Sequence, residues 1–217
     1  MRNLGNIVLV IILLLMMNHQ LLGSRPHEYL GVIFILFILL HLRAGWGCFK
    51  TSFRKKQSIE HSIGIYINLL LIAVVMATII TGLLISTTMV SIIQLRGYTT
   101  ILAHELHQGS AYASFILIAI HLGWHWNSIW THLERRLRFV TGKRYYQRAK
   151  YFITSTIIGY AVYASFVNHI GDWLVMEHMI SLENGSIPLK HSIDLALIFA
   201  GYIAGACVCK RIIARGI

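Results

Sequence analysis

Six apolar runs of roughly 20 residues, each long enough to cross about 30 Å of hydrocarbon, constrain this chain more than any other feature. They occupy residues 4–23, 29–49, 63–85, 112–130, 152–175 and 193–208. The fourth is expected to begin earlier, near Ala103, which would carry His107 on its first turns. A single small soluble core has no room for six such runs. The composition agrees: 56% of the 217 residues are hydrophobic, 12% are charged, and the mean hydropathy is +0.65. The expected fold class is therefore all-α, a polytopic membrane protein of six transmembrane helices with lipid as its surroundings.

Orientation follows from the positive charges, because short cytoplasmic loops retain Lys and Arg. Sixteen of the 19 fall on one side of the expected topology. They are Arg2, then Arg43, Lys50, Arg54, Lys55 and Lys56, then Arg135, Arg136, Arg138, Lys143, Arg144, Arg148 and Lys150, and finally Lys210, Arg211 and Arg215. The other side holds Arg25, Arg96 and Lys190 with acidic Glu28, Glu105, Asp172, Glu177 and Glu183. Both termini are thus expected in the cytoplasm and the protein in the inner (cytoplasmic) membrane. Insertion bias accounts for the net charge of +11, and no basic run is interleaved with aromatics on a soluble domain, so nucleic acid is not an expected partner.

Met1 and Arg2 precede an apolar core over 7–17, as in a signal peptide, but no small-x-small cleavage site follows and an uncleaved helix is expected. Pro26 and Pro188 are expected in outer loops. Cys48, Cys207 and Cys209 all fall near the cytoplasmic face, where thiols stay reduced. Without a Cys-x-x-Cys-His there is no covalent c-type haem, and no four-cysteine spacing suggests an iron–sulfur cluster.

Chemistry enters with the histidines. His27 and His41 lie fourteen residues apart in the second run, and His107 and His121 repeat that spacing in the fourth. In a helix fourteen residues advance about 1400° and about 21 Å, so the members of a pair share one face at two depths. The second and fourth helices run in the same direction, so His27 can meet His107 and His41 can meet His121. Each couple would offer two imidazoles to one six-coordinate iron, an arrangement suited to one-electron transfer because no axial position stays open. Two haems b are expected, one as the minimum, stacked about 20 Å apart across the membrane.

The neighbourhood repeats too. Leu42 and Trp46 match Leu122 and Trp126, and glycines follow the histidines at matched intervals, Gly31 with Gly45 and Gly109 with Gly123, where they would let a macrocycle approach the backbone. Arg25 and Arg43 each lie two residues from a candidate ligand and could bind haem propionates, or simply snorkel to the interface. Glu28 and Glu105 adjoin the outer histidines and suit either proton handling at a quinol site or the dipole of a helix N-terminus. His125 follows His121 by one turn and could replace it, whereas His104 is turned about 100° off the face. His19, His61, His132, His169, His178 and His191 read as interfacial, and Trp46, Trp124, Trp126 and Trp130 as an aromatic belt.

Here the chain resembles the bacterial di-haem cytochrome b subunits of respiratory complexes, including those of hydrogenases and formate dehydrogenases. It looks closest to relatives with an Asn-containing helix ending in Thr-Gly, then a His, then a His followed by His-Trp. Those residues are Asn68, Thr81-Gly82, His107, and His121 with His125-Trp126. The likeness is strong over about 60–130, and residues 1–50 look like a degenerate copy without the Thr-Gly. The family implies a four-helix haem-binding core exchanging electrons with a quinone or a partner subunit, an electron-transfer component rather than a stand-alone enzyme. The core would span residues 1–131, as repeats 1–50 and 60–131, with two further helices over 150–214. The basic segment 135–150 could dock an acidic redox protein, though insertion topology explains it equally well.

Two other readings compete. A membrane di-metal oxidase or desaturase would use His104-x-x-His107 and His121-x-x-x-His125 as histidine boxes, but these lie nearly a membrane crossing apart. A proton-coupled transporter would use buried histidines as relays, and should show embedded carboxylates and interrupted helices.

Overall fold

The structure, a computed structural model, describes residues 2–53, 58–88, 97–126, 144–176 and 188–215. The described residues are all-helical, with no strand. In chain order the helices are α1 (Arg2–Met16), α2 (His19–Leu22), α3 (Ser24–Ser52), α4 (Ile59–Ile85), α5 (Tyr98–Trp124), α6 (Arg144–Val167), α7 (Ile170–Leu174) and α8 (Pro188–Arg215). Arg54, Lys55, Lys56, Arg96, Trp130, His132, the basic positions Arg135 to Lys143, Glu177, His178 and Glu183 lie outside the described residues.

Three helices among the described residues are long and apolar enough to cross a membrane: Ser24–Ser52, Ile59–Ile85 and Leu189–Arg215. The protein is therefore a membrane protein by its helices, with three such spans where six were expected. The other three runs fall short for separate reasons. Helix α1 has 15 residues, about 22 Å of rise. In α5, His104, Glu105, His107 and Gln108 dilute an otherwise apolar sequence, and α6 opens with Arg144, Gln147, Arg148 and Lys150.

Two runs expected to be continuous are broken, each by an asparagine. Asn18 Nδ2 donates to the Leu14 carbonyl at 2.7 Å, and Asn168 Nδ2 donates to the Ala164 carbonyl at 2.9 Å. At Asn18 the side chain takes the carbonyl its own N–H would use, and that N–H turns to the Leu15 carbonyl; at Asn168 side chain and N–H share the Ala164 carbonyl, and the ladder breaks one residue later, where the His169 N–H turns to the Phe166 carbonyl. After Asn18 the chain makes α2 and turns at Gly23, whose φ of 74° suits glycine. After Asn168, His169 takes a left-handed φ of 53° before α7. The first turns of α8 brace both breaks: Ser192 Oγ donates to Asn18 Oδ1 at 2.7 Å, and His191 Nδ1 donates to Asn168 Oδ1 at 3.0 Å.

Both prolines sit in first helical turns rather than loops, Pro26 in α3 and Pro188 opening α8. An N–H there has no intrahelical partner, so its absence costs little.

The helices associate as hairpins. Helix α1 packs antiparallel on α3, α4 on α5, and α6 on α8, while α8 also covers α5. Buried Phe115, Ala119, Leu195, Ile198 and Phe199 hold α5 and α8 together, joined by Ile12 and Leu13 of α1 and Phe34 of α3. Close approach requires glycine at two points. A Cβ on Gly123 would meet the Ile203 carbonyl, and one on Gly201 would meet Ala161 Cβ. Gly109 likewise backs onto Met176 and the Trp173 carbonyl, while Gly45 has nothing within 4 Å. Gly109 and Gly123 therefore serve helix packing on the α7–α8 side, whereas Gly31 lines the cavity beside His27, with only Met16 Cε nearby at 3.8 Å, and Gly45 has open space around it.

Candidate functional site: the histidine seam

Between the α1–α3 hairpin and the α4–α5 hairpin runs a loosely filled seam, and the four histidines singled out by spacing line it. His27 of α3 faces His107 of α5 with ring centroids 6.2 Å apart and planes at 87°. His41 and His121 face one another at 6.5 Å and 76°. Helix α5 is continuous from Tyr98 to Trp124, so His107 and His121 are about 21 Å apart along its axis. Both pairings expected from the fourteen-residue spacing are thus present in the fold, as side-chain neighbours.

Three of these imidazoles have their Nδ1 proton engaged. His41 donates to Asn6 Oδ1 at 3.0 Å, His121 to Asn68 Oδ1 at 2.8 Å, and His107 to the Thr78 carbonyl at 3.0 Å, with Thr81 Oγ1 at 3.4 Å. A carbonyl oxygen can only accept, so each ring is fixed with its proton on Nδ1 and its lone pair on Nε2, the arrangement of a metal-ligating histidine. His27 differs: its buried Nδ1 completes no hydrogen bond.

Helix α4 is shaped to receive His107. A Cβ on Gly82 would stand 2.8 Å from His107 Cε1, so only glycine leaves the imidazole this room. At the other end Gly64 makes the same allowance for Trp124, 2.9 Å from its Nε1. Thr81 turns its hydroxyl to the Ala77 carbonyl at 2.7 Å, leaving its oxygen beside His107.

A cavity of about 590 Å³ opens around the His27–His107 couple, within the range of cofactor pockets. Its walls include Met16, Phe34, Val75, Ile79 and Tyr112, apolar surface suited to a flat macrocycle. At the His27–His107 couple facing imidazoles, a largely apolar cavity, the His107 tautomer and the orphaned, buried His27 Nδ1 fit a haem; at the His41–His121 couple the facing imidazoles and both tautomers do.

Of the neighbouring candidates, Glu28 has structural work. Its carboxylate accepts from Ser86 Oγ at 2.6 Å, Thr88 N at 3.0 Å and Thr87 Oγ1 at 3.3 Å, binding the start of α3 to the end of α4. Arg25 and Arg43 are both exposed, near opposite ends of the seam. His104 is exposed on the cavity rim. His125 ends α5 with its ring centroid 4.8 Å from that of His121, beside the His41 couple rather than within it. His19 stacks edge-on against His27 at 5.1 Å, so it belongs to the seam and not to a separate interface. Glu105 is half-buried in α5.

Sequence reasoning missed Asn6 and Asp194. Asn6 stands 62 residues before Asn68 whereas His41 stands 80 before His121, so the asparagines do not follow the histidine spacing, and only the fold brings each to its ring. The signal was a carboxamide within an apolar run. Asp194, 5% exposed, accepts from Tyr160 Oη at 2.6 Å and from Asn168 Nδ2 at 3.4 Å, a polar knot between α6 and α8 away from the seam. The three cysteines are unpaired, and among the described residues no group of three or more His, Cys, Asp and Glu side chains could hold a metal ion. No family model, no curated protein and no solved structure matches this chain, so the seam's own geometry is what a functional reading has to rest on.

Proposed function

We propose that this protein is a membrane b-type cytochrome that carries electrons across the bilayer through bis-histidine haems. One observation carries the reading: two histidine couples face each other across one seam at 6.2 and 6.5 Å. His27 and His107 would hold one haem, and His41 and His121 the other. When bound, the haems would supply the one-electron couple for the transfer.

The chain's part is to orient. Asn6, Asn68 and the Thr78 carbonyl set the tautomers of His41, His121 and His107, and apolar side chains form most of the cavity wall beside His27 and His107. Arg25 and Arg43 are placed to meet propionates from the two ends. Electrons would pass between a quinone or partner subunit and another redox protein.

In the membrane we assign α1, α3, α4, α5, α6 and α8 as six crossings with both termini cytoplasmic. The contacts support this arrangement. Asn6 near the start of α1 touches His41, and Lys210 near the end of α8 pairs with Glu60 at 3.1 Å and caps the Trp124 carbonyl at 2.8 Å. Both termini thus share the His41–His121 end, with Arg43, Lys50, Arg148, Lys150, Arg211 and Arg215, as the positive-inside bias requires.

The test is a reduced-minus-oxidised spectrum of the detergent-purified protein, with haem counted per chain as the pyridine haemochrome. Two haems b are expected. None, after saturating haem supply during expression, overturns the reading. A second reading, a proton-coupled transporter, draws support from the embedded Asp194 and the two interrupted runs. It predicts no haem, and proton-coupled uptake that Asp194→Asn abolishes.

A further inference from the structure

Asparagine is rare in apolar membrane helices because its carboxamide needs partners that lipid does not offer. One from each hairpin, Asn6 in α1 and Asn68 in α4, accepts an Nδ1 proton from the same histidine couple. The relation is made twice, from opposite hairpins at one depth, although the asparagines are 62 residues apart and the histidines 80. A carboxamide used only to join helices would not need to find an imidazole both times.

We infer that Asn6 and Asn68 are positioning residues that hold His41 and His121 as Nε2 ligands and set the electron affinity of the metal centre they share. The inference rests on the haem assignment above. The physical link is the Nδ1–H···O bond. A stronger acceptor draws the Nδ1 proton outward, makes Nε2 more electron-rich and favours the oxidised iron, whereas loss of the acceptor does the reverse and frees the ring to rotate. The centre between His27 and His107 has no asparagine on either ring, since His107 uses a backbone carbonyl and His27 Nδ1 is unpartnered. It therefore serves as an internal reference in every variant.

Asn68→Leu removes the acceptor while keeping the number and branching of side-chain heavy atoms, Asn68→Asp keeps it and strengthens it, and Asn6→Leu repeats the removal from the opposite hairpin. Spectroscopic redox titration of the full-length protein in detergent, with haem retention followed by transfer to excess apomyoglobin, reads all three. The midpoint of one haem should rise in both leucine variants and fall in Asn68→Asp while the second haem stays fixed. Haem retention should drop about tenfold or more in the leucine variants. If Asn68→Leu loses that haem altogether, its return in Asn68→Asp supports the inference equally. Unchanged midpoint and retention in both leucine variants, with two haems present, overturns the positioning role alone. Wild-type protein that takes up no haem overturns the cytochrome reading, and this inference with it.

Discussion

At the His41–His121 couple both imidazoles are held by side-chain carbonyls from two different hairpins, whereas at the His27–His107 couple one ring is held by the α4 backbone and the other by nothing at Nδ1. The centroid separations differ by only a few tenths of an ångström. Equal spacing with unequal support teaches that helical geometry fixes where the histidines stand but not what braces them. Spacing depends on helical rise, which is common to α3 and α5, and bracing depends on which single side chains pack beside each ring.

The largest expected effect is loss of a haem. His121→Ala should reduce haem from two per chain to one and leave the other spectrum intact, and His27→Ala should do the same from the opposite end. If either substitution empties both positions, the couples are not independent and the comparison between them breaks. Gly82→Ala comes next. Its Cβ would lie 2.8 Å from the His107 ring, so the imidazole must leave the Thr78 carbonyl. Selective loss of the His27–His107 haem is expected, with about 1–3 kcal/mol of stability measured by thermal unfolding in detergent.

Smaller effects should separate the two ends. Glu28→Gln weakens the charge-assisted bonds to Ser86 and Thr88, and should cost about 1–2 kcal/mol while loosening only the His27 end. Hydrogen exchange confined to the α3 start and α4 end would show it; equal loosening at both ends would contradict the localisation. Lys210→Met removes the Glu60 ion pair and the Trp124 carbonyl cap. A partly solvated pair of this kind contributes at most about 1 kcal/mol. The change should be smallest in unfolding temperature and confined to the His41 end.

Much of the seam was legible in advance because helical rise and rotation are fixed by the backbone. His27, His41, His107 and His121 could be placed on shared faces at two depths from spacing alone. The Thr-Gly of α4 also proved to lie against His107. What escaped was local. Hydropathy averages over a run, so it passed across Asn18 and Asn168, where each run is interrupted. The same averaging hid Asp194 in an apolar helix, and it predicted six spans where three helices meet the criterion. The glycines divided, Gly31 lying at the cavity, because spacing gives the face of a helix but not what covers it. Gly109 and Gly123 turned out to face α7 and α8.

By itself, then, the sequence determined the all-helical membrane class and the spacing of the histidines, since apolar length and helical period need no knowledge of neighbours. The tertiary structure alone decided that α1 and α4 would each bring an asparagine to that couple. It also decided that Glu28 would latch α3 to α4, and that a cavity would remain beside His27. Those outcomes depend on which helices meet and at what register, and long-range contact is a property of packing that no local pattern carries.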